Sequence, residues 1–310
     1  MNSPSRDRQK IIVIAGATAS GKSDIAMSLA NQLPIEIVCA DARTVYRGLS
    51  IGTAKPSVED QASVPHHCID ILDPDQIYTA STFSEDARIA LANLQEGATG
   101  VVVGGSGFYI KALIDGLSEG IVDVPEEIRL ALANEFASRG KDEMYDELMN
   151  IDARAAELYA DKNPRRVQRA LEYYRATGDL FSSTWDKPRC ASEFDVVFVA
   201  VQRERDELRQ RIADRCSMMW NKGLLRETEQ LLESGIPVNA QSLQTVGYKQ
   251  ALDVLLGRSD IAAAQQEMIT ATWQYAKRQL TWFRKDTRYT WISGSAEQCV
   301  NDILQKHHER

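Results

Sequence analysis

The sequence of 310 residues predicts an α/β fold: a core built on a parallel sheet, with a mostly helical domain inserted into it. Three observations carry that expectation. Short, nearly continuous apolar runs alternate with helical periodicity over the first third of the chain, the pattern of parallel strands buried on both faces. Strand character then disappears between about Asp115 and Arg189 and returns in "EFDVVFVAV". A glycine-rich turn joins the first apolar run to the first helical pattern, where phosphate-binding loops occur. The division that follows assigns residues 1–114 and 190–310 to the core and 115–189 to the insertion.

The elements follow in order. "KIIVIAG" reads as a buried strand, and Ser23 to Gln32 carries helical spacing through Ile25, Leu29 and Leu33. "IEIVCAD" is a second strand, and "TGVVVGGSG" a third that leads into a helix start over Phe108 to Leu113. All three strands end in small or acidic residues, as expected where parallel strands open onto a site at their C-terminal ends. Within the insertion, Pro125 suits the first turn of one helix and another follows Asp142. Pro164 opens "PRRVQRALEYYRATG", and Gly178 closes it. Beyond the returning strand the chain is mostly helical, with one long helix through "EMITATWQYAKRQLTWFRK".

With 44% hydrophobic and 26% charged residues the chain reads as soluble and globular. No apolar run approaches the roughly 20 residues of a membrane span, and the polar start "MNSPSRDRQK" lacks the apolar core of a signal peptide. Cys39, Cys68, Cys190, Cys216 and Cys299 are scattered with no C-x-x-C pair, which points to a reducing, cytoplasmic compartment rather than a disulfide framework or a zinc site. The net charge of −8 is uneven. Lys162, Arg165, Arg166, Arg169 and Arg175 face a single acid, Glu172, and Lys277, Arg278, Arg284, Lys285 and Arg288 face only Asp286. A third basic stretch runs from Arg203 to Arg226. Such clusters are either solvated helix faces or local patches for a polyanion, because backbone contacts are screened within about 10 Å.

The turn itself, Gly16-Ala17-Thr18-Ala19-Ser20-Gly21-Lys22-Ser23, fits the P-loop pattern of nucleotide- and ATP-binding proteins. Its glycines let backbone N–H groups surround an anion, the helix N-terminus adds partial positive charge and Lys22 adds a full one. The Ser23 hydroxyl is the expected Mg²⁺ ligand. The core is therefore a P-loop NTPase-like one. A hydrolase of that class carries an acid at the end of a second apolar strand, yet "VVVGG" ends in Gly104 and Gly105. The nearest strand-end acid is Asp41, in "CADARTVY", placed either to accept a proton from a bound nucleophile or to cap a turn. His66, His67, Cys68 and Asp70 read as structural, since adjacent side chains rarely converge on one ion. Trp273, Tyr275, Trp282 and Phe283 read as helix core, with base stacking as the alternative.

Taken together, "GATASGKS", "DARTVYRGLSIGTAKP", "HHCID", "GGSGFYIKAL", "NPRRVQRALE", "RIADRCSMM", "VGYKQ" and "QYAKRQLTWFRK" resemble the tRNA dimethylallyltransferase (tRNA isopentenyltransferase) family of bacterial type, from about Ile11 to Arg288. The resemblance implies transfer of a dimethylallyl group from dimethylallyl diphosphate to N6 of adenine 37, in the anticodon stem-loop of tRNA. It makes Asp41 the general base, Thr18 a catalytic residue of the diphosphate loop, and Arg215 (or Arg211, one turn earlier) the arginine that neutralises diphosphate. It gives tRNA contacts to Asp41, Ala42, Arg43, Thr44, Ser106 and Arg129. The insertion adds Arg165, Arg166, Val167, Gln168 and Arg169. The C-terminal half adds Gly247, Tyr248, Lys249, Lys277, Arg278, Gln279, Thr281, Trp282 and Arg284. The family commonly has Pro at Ala17 and Asp-Ser-x-Gln where this chain has Asp41-Ala42-Arg43-Thr44. A monomer is expected, with no membrane partner. Three other readings remain at this point: a P-loop kinase of a small metabolite, prenyl transfer to free AMP, and an RNA-binding protein with a relict loop.

Overall fold

A computed structural model describes residues 8–116, 124–185 and 193–309. The chain divides into two compact units, one of residues 1–114 and 192–310 and one of residues 115–191. The ends of the expected insertion, and Cys190 just beyond it, fall partly outside the described residues.

The first unit is built on a parallel sheet of six strands among the described residues, in the order β3-β2-β4-β1-β5-β6. These strands are β1 (Gln9–Gly16), β2 (Ile35–Ala40), β3 (His66–His67), β4 (Thr99–Gly104), β5 (Phe194–Val201) and β6 (Thr290–Ile292). β1 lies between β4 and β5, with Ile11 to Ala15 fully buried, which explains why it reads as an unbroken apolar run. α1 (Lys22–Ala30) and α12 (Ala296–His308) cover one face, where Ile25, Leu29, Val300 and Ile303 pack with Ile12 and Ile14. On the other face α3 (Ala80–Ala92) sets Leu91 against Gly100 and Ile11. The remaining helices of this unit are α2 (Val58–Ser63), α4 (Gly107–Asp115), α8 (Arg205–Asn221), α9 (Leu224–Glu233), α10 (Tyr248–Leu255) and α11 (Ile261–Arg284).

The second unit has no strand among its described residues. It contains α5 (Glu126–Ile151), α6 (Ala153–Leu158) and α7 (Pro164–Thr177) around Leu132, Met144, Leu148, Val167 and Leu171. α5 is one element interrupted at Gly140 (φ 80°), two residues before the second helix start expected from the sequence. α7 has the expected ends: Asn163 accepts the Arg165 N–H, Pro164 occupies the first turn and Gly178 closes the helix in the left-handed region.

Two of the basic clusters change character once folded. Lys162 pairs with Asp142 at 2.7 Å, and Arg175 grips Glu135 with both terminal nitrogens and reaches Glu147 at 2.9 Å. Arg165 and Arg166 are exposed on α7, Arg166 lying 3.5 Å from Asp161, and the partly exposed Arg169 lies 3.9 Å from Glu172. In the stretch 203–226, Arg226 pairs with Glu229 at 2.6 Å, while Arg205 and Arg209 lie over the Trp273 ring.

The strand ends are tightly matched where β4 passes between β1 and β2: Gly104 is the register partner of both Ala15 and Ala40. A Cβ on Gly104 would lie 2.0 Å from the Ala40 carbonyl oxygen, a backbone atom that cannot yield without parting the strands. Gly104→Ala is expected to lower unfolding stability by about 3 kcal/mol, the upper range for forced overpacking, measured as a fall in the urea midpoint at unchanged m-value.

Candidate active site

The C-terminal ends of β1, β2 and β4 border a cavity of about 1010 Å³. The turn between β1 and α1 forms one wall. Ala19 takes a left-handed φ of 62° there, a conformation that costs a residue with a Cβ of order 1 kcal/mol or more. Surrounding side chains hold it. Arg211 of α8 donates from Nε to the Ala19 carbonyl at 2.7 Å, and Arg203 donates from Nε to the Ser20 carbonyl at 3.0 Å. Gln279 of α11 accepts the Thr18 N–H at 2.8 Å. Lys22 donates to the Ala17 carbonyl at 2.6 Å and lines the cavity, as do Thr18, Gly21 and Ser23.

The charges here are in tension. Burial, with Arg215 beside it, pushes Lys22 down to about 7 against the opposing pull of Asp41. Burial also lowers Arg215, again against Asp41. Two cations disfavoured by their surroundings are what an anion-binding site looks like before its anion arrives. Both candidate arginines line the cavity: Arg211 donates to the Ala19 carbonyl, and Arg215 donates from Nη2 to the Thr53 carbonyl at 3.4 Å.

Asp41 follows β2 and faces the same cavity. Its Oδ1 accepts the Arg43 N–H at 2.8 Å, and its Oδ2 accepts no hydrogen bond among the described residues. The turn-capping and proton-accepting readings therefore apply to different oxygens of one carboxylate. Ala42, Arg43 and Thr44 line the cavity beside it. Tyr275 is half-buried in the cavity wall, and burial pushes its hydroxyl up to about 12. Met268, Thr272, Tyr275 and Gln279 all line the cavity from α11, a 4-3-4 spacing that puts them on one face of that helix. Tyr275 is thus a wall residue of the site, a third outcome beside core and stacking. Phe283 is core, and Trp282 is 41% exposed with its ring edge-on to Phe108.

Other expected contacts lie elsewhere. Lys249, Lys277, Arg278, Thr281, Trp282 and Arg284 are exposed, and Arg129 lies 3.8 Å from Glu126. Gln168 donates to Glu172 at 2.9 Å. Three of these expected contacts have buried side chains. Val167 is fully buried in the core of the second unit. Tyr248 is fully buried, its hydroxyl 2.5 Å from Glu227 Oε1 and 3.2 Å from the Gly52 N–H. Gln279, 6% exposed, spends its amide on the phosphate loop and on Gly105. All three side chains pack or bond within the protein, and that of Gln279 also lines the cavity. Glu227, unremarked in the sequence, accepts the N–H groups of Ser50, Ile51 and Gly52 and so pins the loop that carries Thr53 and Ala54 to the cavity. His67 and His66 are held by Glu36 and by the Val64 carbonyl.

A family model described as IPP transferase matches residues 44–286. The chain belongs to the IPP transferase family. A tRNA dimethylallyltransferase 1 of Trichlorobacter lovleyi is 38% identical over 288 residues, covering 92% of this chain and 94% of the relative. The full-length tRNA isopentenylpyrophosphate transferase of Bacillus halodurans superposes with a TM-score of 0.72 at 34% identity, over 97% of this chain and 98% of that one. A eukaryotic dimethylallyltransferase, described as acting on tRNA, gives a TM-score of 0.78 at 27% identity, over 92% of this chain and 74% of its own. Like these relatives, the IPP transferase here has an α/β core on a parallel sheet.

The donor set also bears on a metal. Among the described residues no three His, Cys, Asp or Glu side chains are grouped to hold an ion. Ser23 and Asp24 stand in the cavity at the start of α1. Mg²⁺, which keeps water and takes its remaining ligands from one or two protein oxygens and substrate phosphates, fits such a sparse set.

Lys22 gives the site a pH signature. Its proton is partly lost in the free protein above about pH 7, and an anion bound beside it restores the charged form. Diphosphate affinity should therefore fall as pH rises above that value, with proton uptake on binding. Calorimetry of inorganic diphosphate with Mg²⁺ in buffers of differing ionisation enthalpy should show up to about one proton more taken up by the native protein than by Lys22→Met near pH 8.5, and no difference near pH 6.

Proposed function

We propose that this enzyme moves the dimethylallyl group of dimethylallyl diphosphate onto N6 of adenine 37 in the anticodon stem-loop of tRNA, releasing diphosphate. One observation carries the reading: the phosphate loop with Lys22 and Arg215 and the strand-end carboxylate of Asp41 line a single cavity. The relatives' names supply the acceptor and donor classes.

The chemistry asks for little beyond electrostatics. An allylic C–O bond breaks readily because the cation is delocalised and the departing charge spreads over phosphate oxygens. Lys22, Arg215 and the backbone N–H groups of the loop meet that charge. The Ser23 hydroxyl would hold Mg²⁺, which would supply further positive charge to the leaving group when bound. The adenine amine is a weak nucleophile because its lone pair is drawn into the ring. Asp41 Oδ2 accepts the N6 proton as the C–N bond forms, while Oδ1 stays tied to the Arg43 N–H and fixes the carboxylate's direction.

The acceptor base must leave the anticodon-loop stack, at a cost of a few kcal/mol that backbone contacts offset. Lys277, Arg278, Thr281 and Arg284 on the outer side of α11 supply such contacts in the first unit, with Lys249. Arg129, Arg165, Arg166 and Arg169 supply them in the second. The protein works as a monomer in the cytoplasm.

Radiolabelled dimethylallyl diphosphate offered with unmodified tRNA, with AMP and with no acceptor tests the reading. Label should enter tRNA alone, with diphosphate released and no ATP consumed. ADP release from ATP would favour a kinase instead, and label entering AMP would make the free nucleotide the acceptor. Asp41→Ala should cut transfer by about 10²–10⁴-fold, the usual weight of a general base, while tRNA affinity changes by less than about threefold. A loss of tRNA binding equal to the loss of transfer would remove Asp41 from the role of base.

A further inference from the structure

The phosphate loop of this chain has an unusual fixture. In such loops the backbone N–H groups turn inward to meet the anion, but the Thr18 N–H is already taken by Gln279 Oε1 at 2.8 Å. The other end of the same amide, Nε2, donates to the Gly105 carbonyl at 2.9 Å. A donor on one side and an acceptor on the other allow only one orientation of the amide. The side chain is 6% exposed, so water does not substitute readily for either bond. Gly105 is held to glycine by this contact, since a Cβ there would come 2.1 Å from Nε2. One turn earlier on α11, Tyr275 lines the same cavity. Through Gln279, α11 thus grips both the end of β4 and the phosphate loop. The outer side of the same helix carries Lys277, Arg278 and Thr281.

We infer that Gln279 is a positioning residue for the transfer reaction: it sets the phosphate loop in register with the end of β4, and ties both to the helix whose outer side meets the RNA. The inference rests on the proposed function for its last clause only. Arg203 and Arg211 anchor the loop by its carbonyls, and Gln279 anchors it by the Thr18 N–H. Without Gln279 the part-buried Thr18 N–H loses its partner within the protein. It must then rotate towards the phosphates or admit water, and either moves the leaving group relative to Asp41.

Two substitutions separate positioning from simple packing. Gln279→Leu keeps the volume and removes both bonds. Gln279→Glu, ionised, keeps the acceptor for Thr18 but faces the Gly105 carbonyl with a second oxygen; protonated, it regains a donor and mimics glutamine. For Gln279→Leu, inorganic diphosphate with Mg²⁺ should bind about tenfold more weakly, roughly the net worth of one to two hydrogen bonds. The KM for dimethylallyl diphosphate should rise and kcat fall, with tRNA affinity within about threefold of native. For Gln279→Glu, the deficit in diphosphate binding relative to the native protein at the same pH should be larger at about pH 8 than at about pH 6, since only the protonated side chain bridges both partners. Should Gln279→Leu fail to fold, the pH profile of Gln279→Glu decides. Diphosphate affinity unchanged with tRNA affinity lost would make Gln279 an RNA contact and overturn the inference. So would a Gln279→Glu deficit that does not vary with pH. Because diphosphate binding is read without transfer, a native protein that prenylates nothing would sink the proposed function and leave this test standing.

Discussion

The structure depends on a turn that cannot hold itself. Between β1 and α1 the chain must expose backbone N–H groups to an anion, so those groups are unavailable to stabilise the turn, and Ala19 adds a left-handed φ. The constraint is met from outside. β4 and β5 fix β1 from both sides, and Ile25 and Leu29 fix the helix that leaves the turn. Arg203, Arg211 and Gln279 then anchor residues 18 to 20 one peptide group at a time. Strain persists at functional sites only where the surroundings over-determine it, and this turn has three independent tethers from two distant parts of the chain.

The same arrangement prepares the site's charge. Lys22 and Arg215 are both pushed towards their neutral forms by burial, and Asp41 opposes the shift in each. A diphosphate entering this site relieves a cost already carried by the fold, rather than ordering groups at the moment of reaction, which is the content of electrostatic preorganisation. The acidic balance of the whole chain does not conflict with an anionic donor or an RNA. Some of the acids are spent locally, as where Glu135 and Glu147 take up Arg175, while Arg165 on α7 and Lys277, Arg278 and Arg284 on α11 are exposed.

What could be read from the sequence divides along a physical line. The phosphate loop, the ends of α7 and the length of α11 follow from local chemistry: glycines at set spacing, a proline at a first turn, a helical repeat. β3 and β6, two and three residues long, escape notice because they exist only through pairing with β2 and β5. Asp41 could be placed at a strand end, but the split between its two oxygens needed the turn to Arg43. Val167, Tyr248 and Gln279 sit in basic or polar segments, and the segments alone suggest contact with RNA. Which side of a helix faces inward depends on packing from elsewhere, although the 4-3-4 spacing of Met268, Thr272, Tyr275 and Gln279 was there to be read.

The two glycines that end β4 explain why this phosphate loop suits a leaving group rather than a hydrolysed one. A loop of this type that cleaves nucleotides keeps an acid at the end of a neighbouring strand to hold Mg²⁺ or direct water. Here one of the two positions at that strand end is closed by backbone and the other is occupied by a neighbouring side chain. A Cβ on Gly104 would collide with the Ala40 carbonyl, and one on Gly105 with the amide of Gln279. The crowding that lets Gln279 reach the loop therefore also disfavours a water-activating acid there, and the nearest strand-end carboxylate is displaced one strand over, to Asp41. There it lines the same cavity as the phosphate loop. A carboxylate so placed suits taking a proton from an acceptor that approaches the carbon. The phosphate loop is then left to stabilise what departs.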